Sequence, residues 1–312
     1  MKAEDTALRE EIARLKKEKN ALVMAHYYQR DEIQEIADFI GDSLALARKA
    51  AETDADIIVM CGVHFMGETA KILCPDKKVL VPDLEAGCSL ADSCDAEEFA
   101  RFVKEHPDHT VISYVNTSAA VKAHTDIVVT SGNARKIVES LPADEKIIFG
   151  PDRNLGGYIN AELGRDMLLW PGACHVHDRF SLERIQEMRR EHPGAKVLVH
   201  PECRRPLQLI ADKVGSTAAL LAYARADEAR EFIVVTESGI LFEMRRECPE
   251  KTFLAAPAED SECQCNQCEY MKMNTLEKVA RALRTEQPEI NVDPEIARRA
   301  LRPIERMLEL SR

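Results

Sequence analysis

The sequence predicts an α/β protein made of three similar units, each a parallel sheet flanked by helices. Short apolar runs that fit strands alternate with segments of helical periodicity along most of the 312 residues. The order strand, helix, strand, helix, strand and cysteine occurs three times, ending at Cys88, Cys174 and Cys268. The 86 and 94 residues between these cysteines match the length of a small α/β domain.

The predicted units are residues 1–90, 91–176 and 177–268, and we expect the helices in 269–312 to pack back on the first unit. In the first unit a charged amphipathic helix precedes the strand ALVMAHYYQ. The segment DEIQEIADFIGDSLALARKAAET has helical periodicity, and the strand DADIIVMCGVHF, the helix MGETAKILC and the strand KVLVPDLEAGC follow it.

The second and third units repeat this order. The second has the strands TVISYVNTS, TDIVVTSG and KIIFGPD, and a long loop leads from the last strand to Cys174. The third has the strands AKVLVHPE, EFIVVTESG and TFLAAPAEDS, with the helices RRPLQLIADKV and ILFEMRREC between them. Aligning DIIVMCG with DIVVTSG and FIVVTESG shows the internal match most plainly.

Parallel sheets bind ligands beyond the carboxyl ends of their strands. We therefore expect the units to pack around a pseudo-threefold axis, where one thiolate from each unit meets the others. His26, Tyr114 and His200 end the first strand of each unit and would surround the same point. The alternative is three Rossmann-like units in a row with unrelated loops, and the recurrence of cysteine at equivalent places favours convergence.

Composition excludes several classes of function. The net charge of -12 argues against nucleic acid or an acidic membrane surface as a partner. No apolar run approaches the roughly 18 to 20 residues of a membrane span, and the N-terminal segment reads as a charged helix rather than a signal peptide. We therefore expect a cytoplasmic protein that keeps its 10 cysteines reduced.

The tail of the third unit carries Cys263, Cys265 and Cys268 as C-x-C-x-x-C. In a chain with no secretion signal, this density favours a metal or iron–sulfur site over disulfides. The spacing matches no complete site, so further ligands must come from far along the chain, and Cys88 and Cys174 fit that need. A site with three cysteine ligands would leave one metal position open for a substrate.

Several motifs together resemble the quinolinate synthase family over nearly the whole chain. They are AHYYQ, IGDSL, CGVHFMGETAKIL, GCSLAD, YVNTSAAVKA, TSGNA, PDRNLG, WPGACHVH, HPEC, VGSTA and CEYMKMNTL. The resemblance implies a triangular protein of three α/β/α domains around one [4Fe-4S] cluster. It also implies condensation of iminoaspartate with dihydroxyacetone phosphate to quinolinate, with release of phosphate and two waters.

The resemblance assigns the cluster ligands to Cys88 in GCSLAD, Cys174 in PGACHVH and Cys268 in CEYMKMN. Family members with a C-x-x-C-x-x-C run use its last cysteine. Here the run is C-x-C-x-x-C, so Cys263 and Cys265 remain alternatives, although the YMKMN segment directly after Cys268 favours that residue. The iron that lacks a protein ligand would act as a Lewis acid on a substrate carboxylate or hydroxyl.

The resemblance also implies the remaining site residues. Glu202 is the candidate for the main general acid/base, and His26 for substrate binding and proton transfer with support from Tyr28. Hydroxyls where a glycine opens a helix favour phosphate. Taken singly, such residues are more often core histidines or helix N-caps. The further candidates for substrate binding are Ser43, Tyr114, Asn116, Ser131, His177, His200, Ser216 and Thr217.

Two other functions fit the same features. One is an iron–sulfur hydro-lyase acting on another hydroxy acid, because an open iron and anion-binding loops would look the same. The other is a non-enzymatic iron–sulfur redox sensor, which would not need polar strand ends in all three units. The resemblance further implies small-molecule substrates, with transient contact to L-aspartate oxidase as a candidate partner, and no nucleic acid or membrane.

Overall fold

The computed structural model describes residues 3–259 and 266–312, so Cys263 and Cys265 lie outside the described residues. Within these residues the chain forms three sheets of four strands each, and all strand pairs are parallel. Helices flank every sheet, and the predicted fold class of three Rossmann-like α/β/α units is confirmed. None of the described helices has both the length and the apolar character needed to cross a membrane.

The first unit follows the N-terminal helix α1 (Ala3–Glu18). Its elements are β1 (Ala21–His26), α2 (Asp31–Ile36), β2 (Phe39–Gly41), α3 (Ser43–Glu52), β3 (Ile57–Cys61), α4 (His64–Leu73), β4 (Lys78–Leu80) and α5 (Ser89–Asp92).

The second unit repeats the pattern. Its elements are α6 (Ala96–Glu105), β5 (Thr110–Tyr114), α7 (Ala119–Lys122), β6 (Ile127–Val129), α8 (Ala134–Ser140), β7 (Ile147–Gly150), α9 (Arg153–Leu163), β8 (Leu168–Leu169) and α10 (His175–Asp178).

The third unit begins with α11 (Leu182–Glu191), and a 3-10 turn (Met271–Met273) precedes the C-terminal helices. Its remaining elements are β9 (Lys196–Val199), α12 (Arg205–Leu209), β10 (Lys213–Val214), α13 (Thr217–Ala226), β11 (Glu231–Val235), α14 (Ile240–Glu247) and β12 (Thr252–Ala255), and the C-terminal helices are α15 (Leu276–Thr285) and α16 (Pro294–Leu310).

Each sheet has the same strand order, with the second strand at one edge, then the first, the third and the fourth. The expectation of three strands per unit is therefore wrong, because β2, β8 and β10 were missed. These strands are only two or three residues long, which is too short to show alternating hydrophobicity. The predicted long loop before Cys174 likewise contains the helix α9 and the strand β8.

The sequence alignment of the units also needs correction. DIIVMCG and FIVVTESG form β3 and β11, the third strands of their sheets, but DIVVTSG forms β6, an edge strand. The strands that occupy the position of β6 in the other two sheets are β2 and β10. The sequence alignment therefore matched strands that occupy different positions in their sheets. Strands that are buried on both faces all appear in the sequence as short Val/Ile-rich runs, so these runs look alike wherever the strand lies.

One aspartate anchors this edge strand in every unit. Asp38, Asp126 and Asp212 each accept a hydrogen bond from the N–H of a first-strand residue 15 positions earlier, at 2.8–2.9 Å. The backbone N–H of the same aspartate donates to the carbonyl of that residue. This pair of hydrogen bonds fixes the register of the short edge strand. The aspartate also marks an equivalent position in each unit, from which other residues can be counted.

Capping side chains begin many of the helices. A side-chain oxygen accepts from a backbone N–H in the first turn, which satisfies a donor that the helix itself cannot pair. The caps include Asp42 of α3, Asp95 of α6, Asp152 of α9, Ser181 of α11, Ser216 of α13, Thr275 of α15 and Asp293 of α16.

The C-terminal helices pack on two units. Helix α15 lies against α1 and β3, with Leu276, Val279 and Leu283 buried beside Ile12 and Leu15. Helix α16 lies against α4 of the first unit and against α7 and β6 of the second. The boundaries of the units stay a prediction.

We expect Asp126→Ala to lower the free energy of unfolding by about 1 kcal/mol, because it removes a hydrogen bond to a charged acceptor at an exposed position. Asp126→Asn keeps an acceptor oxygen and should lose less. Denaturant titration of the three proteins measures the difference. Equal stability of Asp126→Ala and the parent chain would contradict the anchoring role.

Candidate functional site

The strand ends of all three sheets face one cavity of about 60 Å³. Residues from every unit line the cavity, so no unit alone encloses it. Thirteen of the fourteen site residues expected from the sequence line it. They are His26, Tyr28, Ser43, Cys88, Tyr114, Asn116, Ser131, Cys174, His177, His200, Glu202, Thr217 and Cys268.

Ser216 is the expected site residue that does not line the cavity. Its hydroxyl accepts from the Ala219 N–H and caps helix α13, and the side chain is buried. In the first unit Asp42 caps α3 in the same way, through the Ala45 N–H. In both units the next residue, Thr217 or Ser43, presents its hydroxyl at the cavity instead.

The anchoring aspartates show that the cavity residues occupy equivalent positions. His26, Tyr114 and His200 each precede the anchoring aspartate of their own unit by the same number of residues. The same holds, at a shorter separation, for Tyr28, Asn116 and Glu202. Ser43, Ser131 and Thr217 share a third spacing, after these aspartates. The repeat thus supplies each position three times, and the chemistry differs from unit to unit.

A chain of hydrogen bonds runs along one wall of the cavity. The Tyr28 hydroxyl lies 2.8 Å from Oγ1 of both Thr217 and Thr236. Thr236 Oγ1 lies 2.9 Å from Nε2 of His177, and the other ring nitrogen, Nδ1, lies 2.8 Å from Oε2 of Glu202. A tyrosine, an imidazole and a carboxylate are therefore linked through one chain of hydrogen bonds.

Glu202 is buried, with a relative exposure of 3%. Burial opposes its charged form, but His177 and His200 and a hydrogen bond from Tyr114 outweigh this effect and lower the pKa of Glu202 to about 2. Burial and the adjacent carboxylate raise the pKa of Tyr114 well above its usual value. Tyr114 therefore keeps its proton and donates it in the hydrogen bond to Glu202.

His26 and His200 are neutral at physiological pH. Burial, with Lys272 nearby, lowers the pKa of His26 to about 3, and burial with His177 does the same for His200. Each Nδ1 accepts a backbone N–H, from Tyr28 and Glu202 respectively. The proton of each neutral ring therefore sits on Nε2, and Nε2 of His200 lies 3.2 Å from the Ser131 hydroxyl.

Cys88, Cys174 and Cys268 reach the cavity from the loops after the fourth strands, each just before a short helical turn. None of the three forms a disulfide. Burial raises the pKa of Cys88 to about 12 and of Cys268 to about 11, and raises that of Cys174 well above its usual value.

Two buried carboxylates accept hydrogen bonds from the backbone of the cysteine loops, and the sequence analysis missed both. Asp152 accepts from the Cys174 N–H at 3.1 Å, and Glu237 accepts from the Cys268 N–H at 3.2 Å. Lys272 lies 3.0 Å from Glu237. The available signal was an acidic residue just after the third strand in GPD and VVTES, together with the lysine of YMKMN.

The residues that directly follow the three cysteines are also joined. His175 Nδ1 lies 2.5 Å from the Ser89 hydroxyl, and its Nε2 lies 3.0 Å from Glu269. These contacts connect the three cysteine loops to one another. His175 therefore bridges the loops next to the site.

One compact group of ligand atoms has the spacing of a single-ion site. The ligand atoms of Cys174, His177 and Glu202 all lie within 4.8 Å of one another. Among the described residues, Cys88, Cys174 and Cys268 do not form such a group. The cavity is therefore compatible with metal binding in two ways, by one ion at the compact group or by a larger centre shared among three cysteines.

Comparison with known proteins identifies the family. The sequence model described as "Quinolinate synthetase A protein" matches residues 10–309. A protein of Chloroherpeton thalassium named quinolinate synthase is 54% identical over 303 residues, which cover 97% of this chain and 94% of that protein.

Two cyanobacterial proteins agree with this result. Proteins of Synechococcus sp. and Thermosynechococcus vestitus, both named quinolinate synthase, are each 55% identical over 300 residues, covering 96% of this chain and 94% of the relative. Identity at this level over nearly the full length of both chains leaves no room for a different family. This chain belongs to the quinolinate synthetase A protein family.

Proposed function

We propose that this chain forms quinolinate by condensing iminoaspartate with dihydroxyacetone phosphate, releasing phosphate and two waters. The observation that carries the proposal is the single cavity lined by all three units. It brings hydroxyls suited to anions, groups suited to proton transfer and three thiols into one place. Relatives that match this chain over nearly its full length carry the name quinolinate synthase.

The donor set fits a [4Fe-4S] cluster on Cys88, Cys174 and Cys268. Three thiols that come from three loops and form no disulfide suit an iron–sulfur cluster, because thiolates are soft ligands and a bound cluster would supply the positive charge that stabilises them. When bound, such a cluster would supply one iron without a protein ligand, a Lewis acid for a carboxylate or hydroxyl oxygen.

Hydroxyl groups would bind the anionic substrates. Ser43 and Thr217 are the first residues of helices α3 and α13, and Ser131 precedes α8. Helix N-termini present backbone N–H groups and positive dipole ends to carboxylates and phosphates. An acidic protein can hold a dicarboxylate and a triose phosphate in this way without a cluster of arginines.

Glu202 would transfer protons during the reaction, and His26 would bind the substrate oxygen that receives one. Glu202 would accept the proton from the substrate carbon that attacks in the condensation, and His177, 2.8 Å away, would orient its carboxylate. Neutral His26 holds its proton on Nε2 and would donate a hydrogen bond to the departing hydroxyl oxygen, while Glu202, protonated in the condensation, would return its proton to that oxygen. Tyr28, fixed between Thr217 and Thr236, orients the substrate between them.

The family match does not favour the hydro-lyase or the redox sensor. Delivery of iminoaspartate by L-aspartate oxidase and a cytoplasmic location stay predictions.

An anaerobic assay tests the proposed reaction. The reconstituted protein is given enzymatically generated iminoaspartate and dihydroxyacetone phosphate, and quinolinate is measured by chromatography. We expect quinolinate and phosphate in equal amounts, and none when either substrate is left out. Phosphate release without quinolinate would contradict the proposal.

The cluster ligands are tested by iron and sulfide content. We expect Cys88→Ala, Cys174→Ala and Cys268→Ala each to lose the bound cluster, because two thiolates cannot hold it. Cys248→Ala is the matched control, since Cys248 is buried in the third unit away from the cavity and should keep full iron and sulfide. Retained iron and sulfide in Cys268→Ala would show that the ligand assignment is wrong.

The role of Glu202 is tested with Glu202→Gln. We expect kcat to fall by about 100-fold or more, because the amide cannot accept the proton, while iron and sulfide content stays unchanged. The exposed Glu183→Gln is the control. Loss of iron in Glu202→Gln would instead point to an ion at the compact group of Cys174, His177 and Glu202.

A further inference from the structure

The loop after the first strand of the first unit carries Tyr28 into the cavity, and a buried glutamine holds that loop. Gln34 Nε2 donates to the carbonyls of Tyr27 and Gln29 at 3.1 and 3.0 Å. These two residues flank Tyr28 on either side. Gln34 is 1% exposed, so both hydrogen bonds are shielded from water.

The third unit repeats this arrangement around Glu202. Gln208 Nε2 donates to the carbonyls of Pro201 and Cys203 at 2.9 and 2.7 Å. Gln208 precedes its anchoring aspartate by the same number of residues as Gln34 does. The flanked residue is again the one that faces the cavity, here Glu202.

In the second unit a lysine takes the place of glutamine. Lys122 Nζ donates to the carbonyl of Val115 at 2.8 Å and to the carbonyl of Thr117, and these residues flank Asn116. Lys122 is fully buried, and its ammonium lies 5.5 Å from the centre of the Phe65 ring. A buried lysine thus makes the two contacts that a glutamine side chain makes in each of the other units.

We propose that Gln34, Lys122 and Gln208 are positioning residues that set Tyr28, Asn116 and Glu202 toward the substrate, and that Lys122 acts through its N–H donors rather than through its charge. The proposal rests on the proposed function, since it concerns the same cavity.

Two hydrogen bonds from one nitrogen orient the peptide groups on both sides of the central residue. This fixes the backbone of that residue and therefore the direction in which its side chain leaves the loop. The central residue of the second unit shows why this matters. Asn116 Oδ1 is buried at the cavity without a hydrogen-bond partner among the described residues, so it is an acceptor kept for a ligand.

Lysine suits this position because it can satisfy both carbonyls and brings no acceptor of its own. Gln34 Oε1, by contrast, is buried without a partner among the described residues. Burial lowers the pKa of Lys122 to about 8, against the opposing effects of Glu68 and Cys88. Even as a neutral amine the side chain keeps two N–H donors, one for each carbonyl.

The test compares Lys122→Met, which fills the space without a donor, with Lys122→Gln, which restores the donor found in the other units and removes the charge. We expect both to keep iron and sulfide content. We expect Lys122→Met to lower kcat/KM for quinolinate formation by about 100-fold, and Lys122→Gln to recover most of this loss. A folded Lys122→Gln that is as impaired as Lys122→Met, or a fully active Lys122→Met, would overturn the proposal.

A double-mutant cycle with Asn116→Ala separates positioning from general stability. If Lys122 acts through Asn116, adding Lys122→Met to Asn116→Ala lowers kcat/KM little further, whereas independent effects would multiply. Multiplying effects would overturn the proposal. If Lys122→Met fails to fold, Lys122→Gln still decides, since a folded Lys122→Gln with kcat/KM near that of the parent chain supports it.

Hydrogen exchange provides a readout that does not depend on the reaction. Amides in peptides spanning 114–118 should exchange faster in Lys122→Met than in the parent chain, and Lys122→Gln should restore their protection. Unchanged exchange in Lys122→Met would overturn the proposal. A parent chain that makes no quinolinate but shows the expected exchange pattern would contradict the proposed function and leave the positioning role standing.

Discussion

The structure depends on the meeting of three partly buried thiols where the strand ends of three sheets come together. Desolvation raises the pKa of Cys88, Cys174 and Cys268, so a cationic centre would be needed to stabilise their thiolate forms. Asp152 and Glu237 hold the backbone of two of these cysteines, and the bridge through His175 joins all three loops. Because each thiol comes from a different unit, the site exists only when all three units are folded together.

Threefold repetition explains how one cavity acquires so many different groups. Each unit has an aspartate at the equivalent position that fixes its edge strand, and a buried glutamine or lysine at the equivalent position that fixes the loop after its first strand. The residues that line the cavity differ from unit to unit. The aspartates and the buried donors keep the backbone geometry alike in the three units, and the residues that line the cavity determine its chemical groups. Equivalent positions hold His26, Tyr114 and His200; Tyr28, Asn116 and Glu202; and Ser43, Ser131 and Thr217.

The sequence was sufficient to predict the fold class and the strand-end residues, because apolar runs that end in polar residues mark parallel strands and the sites beyond them. It could not predict β2 or β10, which are too short to leave a pattern, and it misaligned β6 with β3 and β11. It did not separate Ser216, a helix cap, from Thr217, its neighbour at the cavity. Lys122 and Asp152 escaped notice because their roles come from contacts that only folding creates.

Mössbauer spectroscopy of the protein loaded with iron-57 tests the central claim most directly, namely that three units together hold one cluster and leave one iron for the substrate. The account predicts a [4Fe-4S] spectrum in which quinolinate shifts about one quarter of the iron signal, because three of the irons are held by cysteine and one is open. A spectrum of isolated mononuclear iron would contradict this account. A cluster spectrum in which quinolinate changes none of the iron signal would also contradict it.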